Sequence, residues 1–230
     1  MTENSRDAEA AGSQGRLILG IDTCGPAGTV ALARLADERV EVLGQTELEG
    51  RTYSETLVAS VAELLAAHGA KLEQVSCIVV VHGPGSFTGV RIGLSAAKGF
   101  SDGAGIPLVA TSRLAVLAHT AGTANAALDA HRDEVFLRIE DKERLAGRAE
   151  MTAEDAAAEV AVFDDAGALL MASVWPGSRL VRVPPPTAVD AIRFAVPLVL
   201  RSHWDDTSLL DGHYLRRSDA EIFGEAAGSK

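Results

Sequence analysis

Short apolar runs alternate with longer amphipathic segments along this chain, and their order predicts the fold class. Leu17–Ile21, Thr29–Leu35 and Val40–Leu48 are separated by turn residues and predict three strands joined as hairpins. Cys77–Val81 is apolar at every position, which is typical of a parallel strand buried on both faces of a sheet. Ile106–Ala110 predicts a further short strand. The first part of the chain is therefore expected to form a mixed sheet.

The segment between the third and fourth strands predicts an amphipathic helix. Ser54–His68 follows Thr52, which has capping-box spacing with Glu55, and the helix is expected to end at Gly69. Its apolar stripe consists of Leu57, Val58, Val61, Leu64 and Leu65. Burial of this stripe against the sheet would stabilise the fold.

Two more helices are predicted after the glycine-rich loop. Val90–Phe100 has small residues at helical spacing, so another backbone can approach that side of the helix. The small residues are Gly89, Gly93 and Ala97, and the apolar stripe consists of Val90, Leu94 and Ala97. Ser112 is expected to cap a third helix that ends at Ala121.

The pattern of strands and helices then restarts. Ala124–Leu128 and Val135–Glu140 predict two strands joined by a turn, and Val160–Phe163 predicts another. Thr152–Glu159 is expected to be a short helix opened by an N-cap residue. Thr187–Trp204 predicts a longer helix that its internal proline should kink or end. This order of strands and helices resembles that of the first part, which suggests a duplicated architecture.

We therefore predict an α/β protein with a duplicated ribonuclease-H-like fold, as in the actin, Hsp70 and sugar-kinase (ASKHA) superfamily. Each unit is expected to contain a mixed sheet with flanking helices. The N-terminal unit is placed at 16–121 and the C-terminal unit at 122–223. Residues 1–15 and 224–230 are small or polar and lack periodicity, which predicts disordered tails.

Composition and charge narrow the function classes. The 230 residues are 47% apolar, and 21 Lys and Arg residues against 32 Asp and Glu residues give a formal net charge of −11. Such a chain repels a nucleic-acid backbone and should be a poor RNA binder by itself. Cys24 and Cys77 lie in apolar surroundings without disulfide or zinc spacing, which predicts reduced residues of a cytoplasmic protein. No apolar run is long enough to span a bilayer, so no membrane partner is expected.

The glycine-rich segment His82–Gly89 is a candidate site for an anion. It lacks the Gly-Lys-Ser/Thr ending of a P-loop, and Thr88 stands where a dinucleotide fingerprint has its third glycine. Exposed N–H groups at the start of a helix can bind an anion. A tight connection without any ligand is an equally good interpretation of the same residues.

Asp22 ends the first strand, immediately before a glycine turn. This placement resembles the ASKHA superfamily, which puts a carboxylate there near nucleotide phosphate and magnesium. An Asp in a turn more often only caps the backbone. The candidate nucleotide or phosphate contacts are Asp22, Gly83, Gly85, Ser86 and Thr88.

The segment His82–Gly93 closely resembles the signature of the TsaB family, which is also called YeaZ. The resemblance extends to Ser54-Glu55, Asp22-Thr23, Leu128-Asp129-Ala130, Glu134-Val135 and Tyr214-Leu215-Arg216. The chain departs from the family at Tyr53, where a histidine commonly precedes the Ser-Glu pair. It also departs at Gly212-His213, where a proline is usual before the Tyr-Leu-Arg run.

The resemblance implies a role in making threonylcarbamoyladenosine beside the anticodon of tRNAs that read codons beginning with A. In that system the paralogue TsaD carries the active site and holds a metal with two histidines four residues apart. The matching positions here are Arg113 and Leu117, and neither supplies a neutral nitrogen to a metal. The resemblance therefore implies a non-catalytic subunit without a metal or cofactor, apart from weak ATP or ADP binding at the partner interface.

We expect the subunit to act by docking on TsaD through the two helices that flank the glycine loop. The expected interface residues are Leu57, Val61, Leu64, Val90, Arg91, Gly93, Leu94, Ala97 and Lys98. Packing of these residues inside the chain is an equally good alternative, because a helix buries one stripe at a time. The other expected partners are a TsaE-type small ATPase, a second copy of the chain when TsaD is absent, and tRNA through the complex only.

Two other functions stay open. One is an autonomous Mg-dependent ATPase or kinase that uses Asp22 and the glycine loop. The other is a metallo-endopeptidase, as the peptidase M22 label of the family suggests. The second is the weaker hypothesis, because the sequence has no metal-binding histidine pair and no evident Ser-His-Asp or Cys-His set.

Overall fold

The computed structural model describes residues 15–49, 52–153 and 156–216. The tails predicted at 1–15 and 224–230 lie outside these ranges, apart from Gly15. Within the described ranges, no helix combines the length and the hydrophobicity that crossing a membrane requires.

A five-stranded mixed sheet forms the centre of the first half. Its strands are β1 (Arg16–Asp22), β2 (Ala27–Ala36), β3 (Arg39–Glu49), β4 (Cys77–Val81) and β5 (Leu108–Thr111). In space the order is β3-β2-β1-β4-β5, with β1, β2 and β3 antiparallel and β4 parallel to both β1 and β5. Every residue of β4 is buried, because this central strand is covered on both faces. The predicted hairpins and central parallel strand are confirmed.

Two helices cover one face of this sheet and a third follows its last strand. α1 (Tyr53–Ala67) and α2 (Phe87–Ala104) pack against alternate residues of the strands, in one apolar cluster. α3 (Arg113–Ala121) follows β5. The Ser112 hydroxyl caps α3 by accepting hydrogen bonds from two N–H groups of its first turn, as predicted.

The second half repeats this arrangement. Its strands are β6 (Ala126–Asp129), β7 (Glu134–Ile139), β8 (Lys142–Gly147), β9 (Glu159–Val162) and β10 (Arg179–Arg182), and α4 spans Asp165–Val174. The spatial order β8-β7-β6-β9-β10 repeats that of the first sheet, with antiparallel pairing up to β6 and parallel pairing beyond it. The fold is therefore α/β with a duplicated ribonuclease-H-like unit and two mixed sheets, as predicted.

The last helix crosses back to the first sheet. α5 (Ala188–Leu200) follows β10 in sequence and falls within 122–223, yet it packs on the face of the first sheet opposite α1 and α2. Thr187 and Asp190 cap it reciprocally through side-chain to backbone hydrogen bonds. Pro197 lies in the last turn, where few helical bonds remain to be lost, and the helix ends three residues later.

Several sequence predictions are wrong in detail. The Thr52 hydroxyl donates to the Glu49 carbonyl and makes no hydrogen bond to α1, so the predicted capping box with Glu55 does not form. The predicted helix over Thr152–Glu159 is wrong in its second half, since Ala153 is in a helical turn but 156–158 is irregular and Glu159 begins β9. Residues 154–155 lie outside the described part of the chain. β8, β10 and α4 were not predicted from the sequence; β8 and β10 are short and charged, so they lack the apolar pattern of a strand.

Candidate docking site

The residues predicted as a docking interface divide into two groups. Arg91 and Lys98 are accessible on α2. The others are buried within the chain's own core: Leu57, Val61, Leu64, Val90, Gly93, Leu94 and Ala97. The prediction that these seven residues form an exposed face is wrong. The intramolecular alternative is correct, because this most apolar stripe of each helix is the one that faces the sheet.

The outward faces of α1 and α2 instead form a shallow groove of about 340 Å³. Val58 lies on its α1 side and is 58% exposed, so its predicted place in the buried stripe is wrong. Ile92 and Ala96 lie on the α2 side, one helical turn apart. The residues lining the groove are Tyr53, Ser54, Leu57, Val58, Arg91, Ile92, Ser95 and Ala96. A groove with an apolar floor and polar edges can accept a helix of another protein.

The sequence contains a weak signal for this groove. Ile92 and Ala96 form a second apolar pair at i and i+4 on α2, about 100° or more away from the stripe of Leu94 and Ala97. When a helix that is apolar on two sides packs one side on its own sheet, the other apolar side stays accessible to a partner. Choosing between the two sides requires knowing how the loop before Phe87 orients the helix.

Arg91 is held in place at the edge of the groove by two aromatic rings. Its guanidinium carbon lies 3.9 Å from the centre of the Phe87 ring, and its Nε donates to the Tyr214 hydroxyl at 3.3 Å. The two ring centres are 4.9 Å apart. Because its conformation is already restricted, Arg91 loses little entropy when it binds an acidic group. The two rings were not predictable as part of one site, because Phe87 and Tyr214 lie far apart along the chain.

The predicted nucleotide contacts of the glycine loop differ in accessibility. Gly85, Ser86 and Thr88 are exposed, whereas Gly83 is buried. The Ser86 hydroxyl accepts from the N–H of Gly89 at 3.3 Å and so caps α2. The loop therefore has a structural role as the start of α2, and its role as a nucleotide contact stays a prediction.

Asp22, the remaining predicted nucleotide contact, is buried and has partners within the chain. Its Oδ1 accepts from the N–H of Cys24 at 2.8 Å. Its Oδ2 lies 3.8 Å from Nε of Arg113, and the two side chains are 3% and 6% exposed. Asp22 is therefore already neutralised by a cation of the chain itself.

The resemblance to the TsaB family places the metal-binding histidines of TsaD at Arg113 and Leu117. Both residues are buried in this structure, and neither a guanidinium nor an alkyl group can ligate a divalent ion. The residues present do not fit the metal. Across 15–49, 52–153 and 156–216, moreover, His, Cys, Asp and Glu side chains nowhere gather in a group of three or more that could hold an ion.

A polar network joins the two halves beside the glycine loop. The Glu143 carboxylate on β8 accepts from the Ser112 hydroxyl at 2.7 Å and from the Arg138 guanidinium at 2.8 Å. Nε2 of His213 lies 2.8 Å from the same carboxylate, and the His213 ring stacks on that of His82. Burial alone would raise the pKa of Glu143, but the hydrogen bonds from these three donors outweigh it and lower the pKa.

His82 makes the stability of this junction depend on pH. Its burial lowers its pKa from the ordinary value of about 6.5. Below that value the unfolded chain binds more protons than the folded chain, so His82 contributes stability that is complete above about pH 6.5. That stability is lost as the pH falls through the folded-state pKa. We expect His82→Gln to flatten the decrease in Tm between about pH 6.5 and 5.

Thermal unfolding of both proteins at half-unit pH steps measures this effect. His203→Gln, at an exposed position, serves as the control and should keep the wild-type slope. An unchanged slope for His82→Gln would show that His82 does not cause the pH dependence.

Three comparisons place the chain among known proteins. The family model described as TsaD: tRNA N6-adenosine threonylcarbamoyltransferase matches residues 45–179. The tRNA threonylcarbamoyladenosine biosynthesis protein TsaB of Haemophilus influenzae is 36% identical over 129 residues, which cover 54% of this chain and 53% of that protein. The uncharacterized protein Rv3421c of Mycobacterium tuberculosis is 33% identical over 209 residues, which cover 89% of this chain and 93% of that protein. The chain thus spans about half the length of the first relative and nearly all of the second.

A solved structure extends the similarity to the fold. YeaZ from Pseudomonas aeruginosa superimposes with a TM-score of 0.70 at 26% sequence identity, covering 87% of this chain and 100% of that one. The shared region therefore includes both halves of the duplicated fold.

Proposed function

This chain belongs to the TsaB/YeaZ family, and we propose that it acts in tRNA threonylcarbamoyladenosine biosynthesis as a non-catalytic subunit that docks on a TsaD-type paralogue. In this role it holds the catalytic paralogue in a competent conformation. The transfer of the threonylcarbamoyl group to tRNA takes place on the partner.

One observation carries the proposal: α1 and α2 bury their main apolar stripes in the core and still leave Val58, Ile92 and Ala96 accessible along the groove. The helices have 15 and 18 residues and are therefore about 22 and 27 Å long. A stable interface needs roughly 800 Å² from each partner, which two helices of this length can supply. The partner surface that fits is an apolar helix face with an acidic residue opposite Arg91.

The buried Asp22 and its neighbours support a subunit without its own phosphoryl chemistry. An autonomous Mg-dependent ATPase would need this carboxylate free to approach a metal or a nucleotide. Instead it faces the guanidinium of Arg113 at 3.8 Å. An endopeptidase would need a metal-binding set, and the positions of Arg113 and Leu117 do not supply one.

Further partners form part of the same proposal. In the absence of TsaD, the groove is the surface for a two-fold homodimer, because exposed Glu55 and Glu63 of α1 can face Arg91 and Lys98 of a second copy. We also propose that a TsaE-type small ATPase is a partner and that tRNA contacts this chain only through the complex. The chain would bind ATP or ADP weakly at its interface with TsaD, and it would be located in the cytoplasm.

Reconstitution tests the proposal. Purified chain, TsaD-type paralogue, adenylate-forming enzyme, small ATPase and tRNA are mixed, and incorporation of labelled threonine into tRNA is measured. We expect modification with all components and a background signal when this chain is omitted. Leu169→Glu, which changes an exposed residue of α4 outside the groove, should support full incorporation. Equal incorporation without the chain, or turnover by the chain alone, would refute the proposal.

A further inference from the structure

A buried cation with an unpaired N–H donor lies beside the end of β1. The Arg113 side chain is 6% exposed, and its Nε is buried without a hydrogen-bond partner. Nε carries one of the five N–H donors of the guanidinium, and it is the one that the surrounding described residues leave unpaired. The Asp22 carboxylate at 3.8 Å is too far for a hydrogen bond. Because buried charges are normally paired and hydrogen-bonded, this arrangement requires a specific explanation.

The surroundings of Arg113 come from both halves of the fold. On one side is the turn between β1 and β2, where a Cβ atom added to Gly25 would lie 2.5 Å from Nη2 of Arg113. A larger residue here would push the guanidinium out of its present position. On the other side is the ring of Phe163, which follows β9 in the second half and has its centre 5.4 Å from Cζ. The guanidinium thus fills the space between the first hairpin turn and the second half.

We infer that Arg113 is a built-in counter-cation for Asp22, which occupies the place of a dissociable metal ion and closes the space between the two halves. The buried carboxylate needs a positive charge nearby, and the guanidinium supplies it without an exchangeable ligand. The charge of the guanidinium is met by Asp22 and by the face of the Phe163 ring, while its Nε has no hydrogen-bond partner. This inference is independent of the docking function proposed above.

Two consequences follow for the chain. Asp22 has no unmatched charge with which to recruit Mg²⁺ or a nucleotide–metal complex. The turn at Gly25 and the segment at Phe163 are also held together by one side chain from α3, so the two halves keep one arrangement.

Removal of the guanidinium from the full chain tests this inference. We expect Arg113→Ala to lower Tm by about 6 to 15 °C, the range expected when one partner of a buried ion pair is removed from a protein of this size. Methylguanidinium at tens of millimolar should raise the Tm of Arg113→Ala relative to the wild type, because a small cation that binds only the folded state stabilises it. The double variant Asp22→Asn/Arg113→Ala should show no such gain. A wild-type Tm that rises with MgCl₂, or equal gains in single and double variants, would overturn the inference.

A second pair of variants keeps the test decisive if Arg113→Ala does not fold. Arg113→Met retains most of the side-chain volume but leaves Asp22 unpaired. Asp22→Asn/Arg113→Met removes both charges and should be more stable than Arg113→Met, since a neutral pair has no buried unpaired charge. A double variant no more stable than the single would show that Asp22 does not depend on Arg113. Reconstitution with TsaD tests docking by a different measurement, so docking and the Asp22–Arg113 pair can fail separately; only the argument against an autonomous ATPase uses both.

Discussion

Val58→Glu is expected to weaken docking on a TsaD-type partner roughly 30-fold or more while leaving the chain folded. Val58 is 58% exposed and lines the α1 side of the groove, so the substitution places a charge where a partner helix would pack. Loss of a central apolar contact at an interface typically costs about 2 kcal/mol or more, which corresponds to this change in affinity. Titration calorimetry with the purified paralogue measures it.

Two matched substitutions separate docking from folding. Leu169→Glu changes another exposed aliphatic residue on a helix, at 72% exposure, and should bind like the wild type. Leu94→Glu changes a residue of the stripe once predicted as the interface, but Leu94 is 5% exposed in the core. We expect that variant to unfold, because an unpaired charge in an apolar core costs more than about 4 kcal/mol. Wild-type affinity of Val58→Glu would exclude the groove as the docking site.

Gly89→Ala is expected to destabilise the fold by about 3 kcal/mol or more, because its Cβ has no space. A Cβ atom at Gly89 would overlap the carbonyl oxygen of Thr23, which is backbone and cannot rotate away. The Thr23 hydroxyl donates to the Gly89 carbonyl at 2.7 Å, so α2 lies directly against the end of β1. Urea unfolding of the variant measures the loss.

Gly99→Ala in the same helix is the control. Nothing lies within 4 Å of a Cβ atom at Gly99, and the position is exposed in the interior of α2. Alanine restricts the unfolded chain more than glycine does, so we expect a gain of about 0.5–1 kcal/mol. If both variants were destabilised equally, the close approach of α2 to β1 would not be the cause.

The predictions that succeeded concern elements with strong local signals. Cys77–Val81 was predictable as a central parallel strand because every residue is apolar, and the Ser112 cap because its hydroxyl needs partners only one turn away. The duplicated fold was predictable because the strand and helix pattern restarts in the second half, and the two observed strand orders agree with it. β10 has a burial pattern without fully buried residues, so it has no comparable signal.

The sequence predicted which two helices form the candidate docking site. It did not predict which face of each helix is exposed. Local periodicity identified α1 and α2 correctly, but both of α2's stripes are compatible with the sequence. The stripe with Leu94 and Ala97 packs on the sheet, and the side with Ile92 and Ala96 is left for the groove. The contact between Arg91 and Tyr214 was not predictable, because these residues are 123 positions apart along the chain. The contact between Glu143 and His213 was not predictable either, because they are 70 positions apart.

The amino-acid sequence by itself determined the element order, the duplicated α/β class and the family, since strand and helix signals and a signature loop depend on neighbouring residues. The tertiary structure decided which helical face stays exposed, where α5 packs, and that Arg113 neutralises Asp22. These outcomes depend on which distant surfaces meet, because burial and charge pairing arise only after the chain has folded.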